Sequence, residues 1–463
     1  MLTKVSRSFA AVILEVHEEL RMAICVFYLV LRGLDTIEDD MKIPMEEKLK
    51  ELEAFPSRLD TPGWNCKGKG YGEGDECSLL ENFENVIAVY GKLKEPYRGV
   101  IQRACAEMSE GMREFLQNSG TPEKIEDYDR YCYFVAGLVG TGLTELFDLS
   151  GMVWNDARSQ QSQSQGQQRK GGSSVRQKEK GQSAGAVPSV DAQERRRLAI
   201  SMGLFLQKTN IIRDYREDIE ETPPRQFWPR EIWGKYVRKF ELMRDPAHAP
   251  TSLRCLDAMV ADALRHVPDC LQYLSMIGEP SIFRFCAIPQ VMAISTLERC
   301  LHNRDIFLSP EPVKIRKGEA AKLILRSGDM KGAEGSFDFY LSVMRRRAEA
   351  LLETAAMEEE EEEDEASSGH VGDERDAGVG GTSYRAHYSS ETRHTGPGAS
   401  SRPTSAGCSC NQMPSHCPAC LPDDFPTNTK TEAIQVLKAL DRAQAAVALH
   451  RARGNSDWQR AGR

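Results

Sequence analysis

Apolar positions recur at helical rather than alternating spacing along most of the chain, over Ala11–Leu34, Leu79–Lys94 and Tyr97–Gln117, with Gly/Pro clusters at 61–74 and 119–122 between them. Alternating runs of the kind that build strands are nearly absent, so the fold class reads as all-α. From Ser159 to Val190, Gln, Ser, Gly and Lys replace the apolar positions, a composition that cannot offset its own ordering entropy. Residues 155–190 are therefore expected to be a disordered insertion. Helical patterning resumes over Asp191–Ile219, stops at the Pro223–Pro224 pair and returns in Ser252–Ile277, Ile282–Leu301 and Gly335–Ala356. Interruption followed by resumption implies one α-helical domain over 1–356. A low-complexity tail over 357–428 and a short amphipathic helix within 429–463 follow as appendages.

The longest unbroken apolar run, Met22–Leu31, is about half of what a bilayer-spanning helix needs and is bounded by Arg21 and Arg32, so it reads as a buried helix. No transmembrane helix is expected, and as it stands the chain reads as soluble. No targeting peptide is visible, and the short preamble before the first motif raises the expectation of an incomplete N-terminus.

Charge changes the picture only locally. Sixty Lys and Arg against 69 Asp and Glu give a net −9, but Glu358–Glu365 is a run of eight acids, and without it the remainder is at −1. A near-neutral body argues against a nucleic-acid partner. Nine of the 13 cysteines are scattered among apolar residues, as reduced core thiols would be. The other four, Cys408, Cys410, Cys417 and Cys420, make a C-x-C-x₆-C-x₂-C pattern whose first half does not match common zinc modules, so a tail without metal is expected there. His17 and His266 lie in helical stretches and are read as structural.

Two acidic patterns stand out because each follows a strongly apolar segment. Asp35, Glu38 and Asp39 are related by i, i+3 and i+4, and Asn210, Asp214 and Asp218 by i, i+4 and i+8, so each trio shares a helix face. Oxygens converging in this way repel one another unless a cation lies between them, and Mg²⁺ binds through one or two carboxylates while sharing its shell with phosphate oxygens. Two such faces would clamp a diphosphate through bridging metal at the mouth of an apolar cavity. Arg7, Arg32 and Arg213 would take the phosphate oxygens the metal leaves free. The chemistry is metal-assisted departure of a diphosphate, leaving a carbocation that must be kept from water. The competing reading of each cluster by itself is a solvated helix face.

The segments Ser6–Phe9, Asp35–Asp40, Tyr131–Gly140, Gln207–Asp214, Phe227–Pro229 and Phe285–Gln290, taken in order, closely resemble the squalene synthases of the squalene/phytoene synthase family, over about Thr3–Glu145 and Arg195–Gly318. The resemblance implies an isoprenoid-synthase helical bundle with a central cavity flanked by two aspartate-rich motifs. It implies head-to-head condensation of two farnesyl diphosphates to presqualene diphosphate, then NADPH-dependent reduction to squalene, with Mg²⁺ as the metal. Asp35, Glu38 and Asp39 match the family's first Mg²⁺–diphosphate motif, and Asn210, Asp214 and Asp218 the second. Tyr131 matches a tyrosine of the first half-reaction and Phe285 an aromatic of the second. Lys314 and Arg316 match a segment associated with NADPH. Arg7 and Arg32 match basic residues near cofactor or diphosphate, and Gln207 and Arg213 fall in the substrate-binding motif.

No Gly-x-Gly-x-x-Gly stands between a strand and a helix, so a Rossmann site is not expected for the nicotinamide cofactor. Phytoene or dehydrosqualene synthases share the acidic motifs without NADPH, a botryococcene-like product is a further branch, and a catalytically silent scaffold is the reading from another class. The family also implies the cytosolic face of the endoplasmic reticulum membrane, and a monomer is expected.

Overall fold

The apolar run Met22–Leu31 lies inside a 22-residue helix, α1 (Glu18–Asp39), whose first turn is capped by His17: its ring Nδ1 accepts the Glu19 N–H at 3.3 Å. The structure is a computed structural model that describes residues 1–6, 8–118, 120–155, 190–368 and 430–461. Among these it contains helices and one isolated bridge between Trp154 and Ile277, but no strand. The expected insertion and the Cys408–Cys420 cluster lie outside the described residues. Residues Met1–Leu352 with Thr427–Arg463 form one compact unit, and Glu353–Pro426 form a second.

The helices that build the first unit's core are α1, α2 (Met45–Arg58), α3 (Glu95–Gln117), α4 (Ile125–Cys132), α5 (Leu138–Ser150), α6 (Val190–Arg213), α7 (Tyr215–Glu220), α8 (Ala249–Leu264), α9 (Val267–Ser275), α10 (Pro280–Cys300), α11 (Lys317–Arg326), the part of α12 (Met330–Ser368) up to Leu352, and α13 (Lys430–Ala461). A five-residue π segment, Tyr133–Gly137, joins α4 to α5 without a break. Helix α6 is central and packs against α5, α9, α10 and the π segment. Two glycines allow the approach. A Cβ on Gly140 would lie 2.4 Å from the Ala199 carbonyl oxygen, and one on Gly203 would lie 2.4 Å from that of Ala136. These helices therefore meet backbone to backbone. Gly203→Ala should cost about 1–3 kcal/mol through overpacking, read as a lower urea midpoint; an unchanged midpoint would mean that the two backbones part freely.

Two helical stretches, Ile125–Ser150 and Pro280–Cys300, are long and apolar enough to cross a bilayer by length and composition, contrary to the reading from Met22–Leu31 alone. Their hydrophobicity has another use here, since both line interior cavities and the second is largely buried within the protein.

Behind α4 and α6 the Lys208 ammonium is fully buried over the Tyr128 ring, 4.8 Å from its centroid. It pairs with Asp129 at 2.5 Å and with Asp262, and Arg265 pairs with the same two carboxylates. The four charges close a neutral ring, which is how buried ions are tolerated.

The last helix departs from the sequence expectation. Rather than standing apart, α13 packs against α8 and α9, burying Val436, Leu440, Ala443 and Val447. Its Glu432 is buried too, accepting the Tyr236 hydroxyl at 2.9 Å with Arg254 3.4 Å away. Its amphipathic pattern is real, but protein covers the apolar stripe.

Candidate functional site

Four walls face one another around a cavity of about 330 Å³. Each wall follows from helical phase: α1 contributes Ile24, Phe27, Tyr28, Leu31, Arg32 and Asp35, and α6 contributes Met202, Gly203, Leu206, Gln207 and Asn210. The π segment and α5 add Val135, Ala136, Val139, Gly140 and Leu143, and α10 adds Phe285, Cys286, Pro289 and Gln290. The lining is mostly apolar. Its charged and amide groups come largely from the C-terminal ends of α1 and α6, where the two acidic patterns lie.

Asp35, Glu38 and Asp39 occupy the last turn of α1, a position where the helix dipole disfavours negative charge. The buried Lys48 offsets part of this by donating to the Glu38 carbonyl at 2.6 Å. Burial, and next the neighbouring Asp39, push the Asp35 carboxyl up to about 7 and Glu38 up to about 8. The second pattern does not lie on one continuous helix. Helix α6 ends at Arg213 and Asp214 caps α7, yet Asp214 N–H still bonds the Asn210 carbonyl at 2.8 Å and Asp218 N–H the Asp214 carbonyl at 3.0 Å. The i, i+4, i+8 relation survives the break. Burial pushes Asp218 up to about 8, with Asp214 and Asp39 adding to it and Arg225 opposing.

Arg225 joins the two patterns, and sequence reasoning missed it. Its Nη1 donates to Asp39 at 2.5 Å, its Nη2 to Glu38 at 3.2 Å, and its backbone N–H to the Asp218 carbonyl at 2.9 Å. The guanidinium lies 4.6 Å from the Phe227 ring centroid, and Phe227 stacks on Tyr131 at 5.1 Å. The only signal in the sequence was a lone base between the Pro223–Pro224 pair and the Phe227–Pro229 segment.

The other expected residues are placed as follows. Arg32 pairs with Asp35 at 2.9 Å and with Glu76, and Arg213 grips Asp214 through two bonds of 2.6 and 2.5 Å. Gln207, Asn210 and Phe285 line the cavity. Tyr131 lines a neighbouring pocket of about 240 Å³, clustered with Phe115 at 4.2 Å and Phe227. Burial, and next the Glu38 charge, hold its phenol well above the ordinary range. Lys314 and Arg316 line a separate polar pocket of about 650 Å³ of mixed charge, which also takes Arg299, His302 and Arg347, each paired with a carboxylate, and the acids Glu298, Asp305 and Glu311. Arg7 lies outside the described residues.

Among the described residues no three His, Cys, Asp or Glu side chains gather closely enough to form a complete metal cage. The acids instead form two partial sets, the donor pattern Mg²⁺ uses when substrate phosphates complete its shell. Their raised carboxyls are a second point of fit, because a cation between them would relieve the repulsion. Lys314 and Arg316 take no ion pair among the described residues, so their pocket has cationic donors for a phosphorylated nucleotide.

The pH response follows. Carboxyls raised in the folded state hold protons that the unfolded chain has released, so the metal-free protein should lose stability as pH rises from about 4 to 8. Mg²⁺ should restore it, most strongly near pH 8. His266, pushed down to about 3 by burial and by Lys208, works in the opposite sense, its stability being lost as pH falls below about 6.5. The difference between thermal melts with and without Mg²⁺ isolates the carboxylates; a difference independent of pH would count against these sites as the metal ligands.

The profile of the squalene/phytoene synthase family matches residues 2–319. Squalene synthase 1 of Arabidopsis thaliana is 41% identical over 352 residues, which cover 75% of this chain and 75% of the relative. The squalene synthase of Cyberlindnera jadinii is 42% identical over 352 residues, 75% of this chain and 70% of the relative. Among solved structures, TcSQS in complex with BPH1237 superposes with a TM-score of 0.64 at 42% identity, covering 75% of this chain and 89% of that one.

Proposed function

The chain belongs to the squalene/phytoene synthase family, and from that premise we propose that it is a squalene synthase, joining two farnesyl diphosphates head to head and reducing the product with NADPH. The observation that carries the reading is the apolar cavity whose mouth is flanked by two acidic helix ends bridged by Arg225.

Asp35, Glu38 and Asp39 on one side and Asn210, Asp214 and Asp218 on the other would hold Mg²⁺ against a diphosphate. When bound, the metal supplies Lewis-acid stabilisation of the departing diphosphate. Arg32, Arg213 and Arg225 are each engaged with a carboxylate that the metal would take over, which frees their N–H donors for phosphate oxygens. The buried Tyr131 phenol keeps its proton, so it presents an O–H to the first half-reaction rather than a phenolate. The apolar lining excludes water from the cation, and the Phe285 ring gives it a π face. Lys314 and Arg316 would bind the phosphates of NADPH.

The test is incubation of the full chain with farnesyl diphosphate and Mg²⁺, with and without NADPH, and identification of products by mass spectrometry. Squalene only with NADPH, and presqualene diphosphate without it, is the expected result. A desaturated C30 product made regardless of NADPH would move the chain to the dehydrosqualene branch, and no product would favour a silent scaffold.

A further inference from the structure

One side chain in the cavity wall has a hydrogen-bonding defect that the scheme above leaves unused. Gln290 is 1% exposed and lines the cavity one turn beyond Cys286 on α10. Its Nε2 donates to the Met202 carbonyl on α6 at 3.1 Å. Because that partner only accepts, the amide orientation is set by chemistry, and the other end must be the oxygen. That oxygen, Oε1, is buried with no donor among the described residues. The residue before it is a proline inside the helix. Pro289 has no N–H, so the Phe285 carbonyl one turn back lacks its usual helical donor.

One buried acceptor on α10 therefore has no donor, and a carbonyl of the preceding turn has lost its usual helical one, beside a largely apolar cavity. Buried acceptors of this kind are costly, and native structures keep few without reason. What satisfies an acceptor is a donor or a positive charge. No donor of the lining, Arg32, Gln207 and Asn210 included, reaches the Gln290 oxygen, and a hydrocarbon chain has no N–H or O–H to offer.

We propose that Gln290 Oε1 and the Phe285 carbonyl form a negative-dipole pair that stabilises the carbocation of the second half-reaction, a role resting on the squalene synthase reading. Ionisation of presqualene diphosphate breaks a C–O bond, and both electrons leave with the diphosphate. The remaining C30 cation is consumed when it accepts a hydride from the dihydronicotinamide of NADPH, which is thereby oxidised. Until then its charge has no counter-ion in the apolar part of the cavity. Oriented dipoles act strongly in such a low-dielectric site and need no reorganisation as the charge forms. The Met202 bond is the element that holds the Gln290 dipole in place.

The test uses Gln290→Met, which keeps length and volume and removes the dipole. Formation of presqualene diphosphate without NADPH should stay within about threefold of wild type. Conversion of supplied presqualene diphosphate to squalene should fall on the order of 10-fold or more, with a larger share of alcohols formed by water capture. Pro289→Ala restores a helical N–H for the Phe285 carbonyl and should slow the same step by an independent route. Binding supplies a readout separate from turnover. Wild type should bind a C15 tertiary ammonium more tightly than its neutral hydrocarbon isostere, and Gln290→Met should lose that preference. Unchanged conversion, equal loss in both half-reactions, or undiminished ammonium preference would overturn the proposal. If wild type makes no presqualene diphosphate, the activity reading fails, while the ammonium comparison still decides whether Gln290 supplies the dipole.

Discussion

Asp218→Asn should abolish turnover while making the metal-free protein more stable at pH 8. The two effects share one cause. Asp218 is a carboxyl pushed up to about 8 by burial and by its acidic neighbours, so at that pH the folded state bears a charge it poorly accommodates. Asparagine keeps the shape and removes the charge, which relieves the folded state. It also removes a ligand charge from the diphosphate-binding set, and losing several kcal/mol of transition-state stabilisation corresponds to about 10³-fold in rate. Steady-state turnover and thermal melting of the same sample read both. Loss of activity with loss of stability would mean that Asp218 serves the fold, and retained turnover would remove it from the metal set.

Deleting residues 427–463 should destabilise the protein severely, although these residues lie beyond the motif-bearing part of the sequence. Helix α13 buries Val436, Leu440, Ala443 and Val447 against α8 and α9, and its removal would return those faces to water. Burial on this scale is worth on the order of 5 kcal/mol or more, a large fraction of a typical domain's stability. The deletion would also leave Arg254, almost completely buried, without the Glu432 carboxylate. A gentler version is Leu440→Ala, expected to cost about 3 kcal/mol. Urea denaturation measures both, and a deletion variant with the wild-type midpoint would mean that α13 contributes nothing to the core.

The two predictions differ in how far the sequence could support them. The acidic trios were legible because helical phase is a local property: residues 35, 38 and 39 share a face wherever that helix sits. The cavity stripes were legible for the same reason, since residues such as Ile24, Phe27 and Leu31 on α1 recur at helical spacing. The family motifs added an ordered set of such segments, and the structure brings the Asp35 and Asp218 regions together around Arg225 as that order implies.

What remained illegible depends on contacts between distant segments. Arg225 lies outside any regular helix, and its importance comes from reaching Glu38 and Asp39, nearly 190 residues earlier. The break at Asp214 does not disturb the hydrophobic period, so periodicity could not detect it. Lys208 reads as an ordinary helical lysine until Asp129 and Asp262 close around it. The pattern of α13 shows that an apolar face exists, but not what covers it, and only packing on α8 and α9 decides that. By itself, then, the sequence determined the helices, their faces and the two acidic sets, because those follow from spacing along a chain. Tertiary structure alone decided which charges neutralise one another and which acceptors are left without a donor, because hydrogen bonds and ion pairs depend on distances that no local pattern encodes.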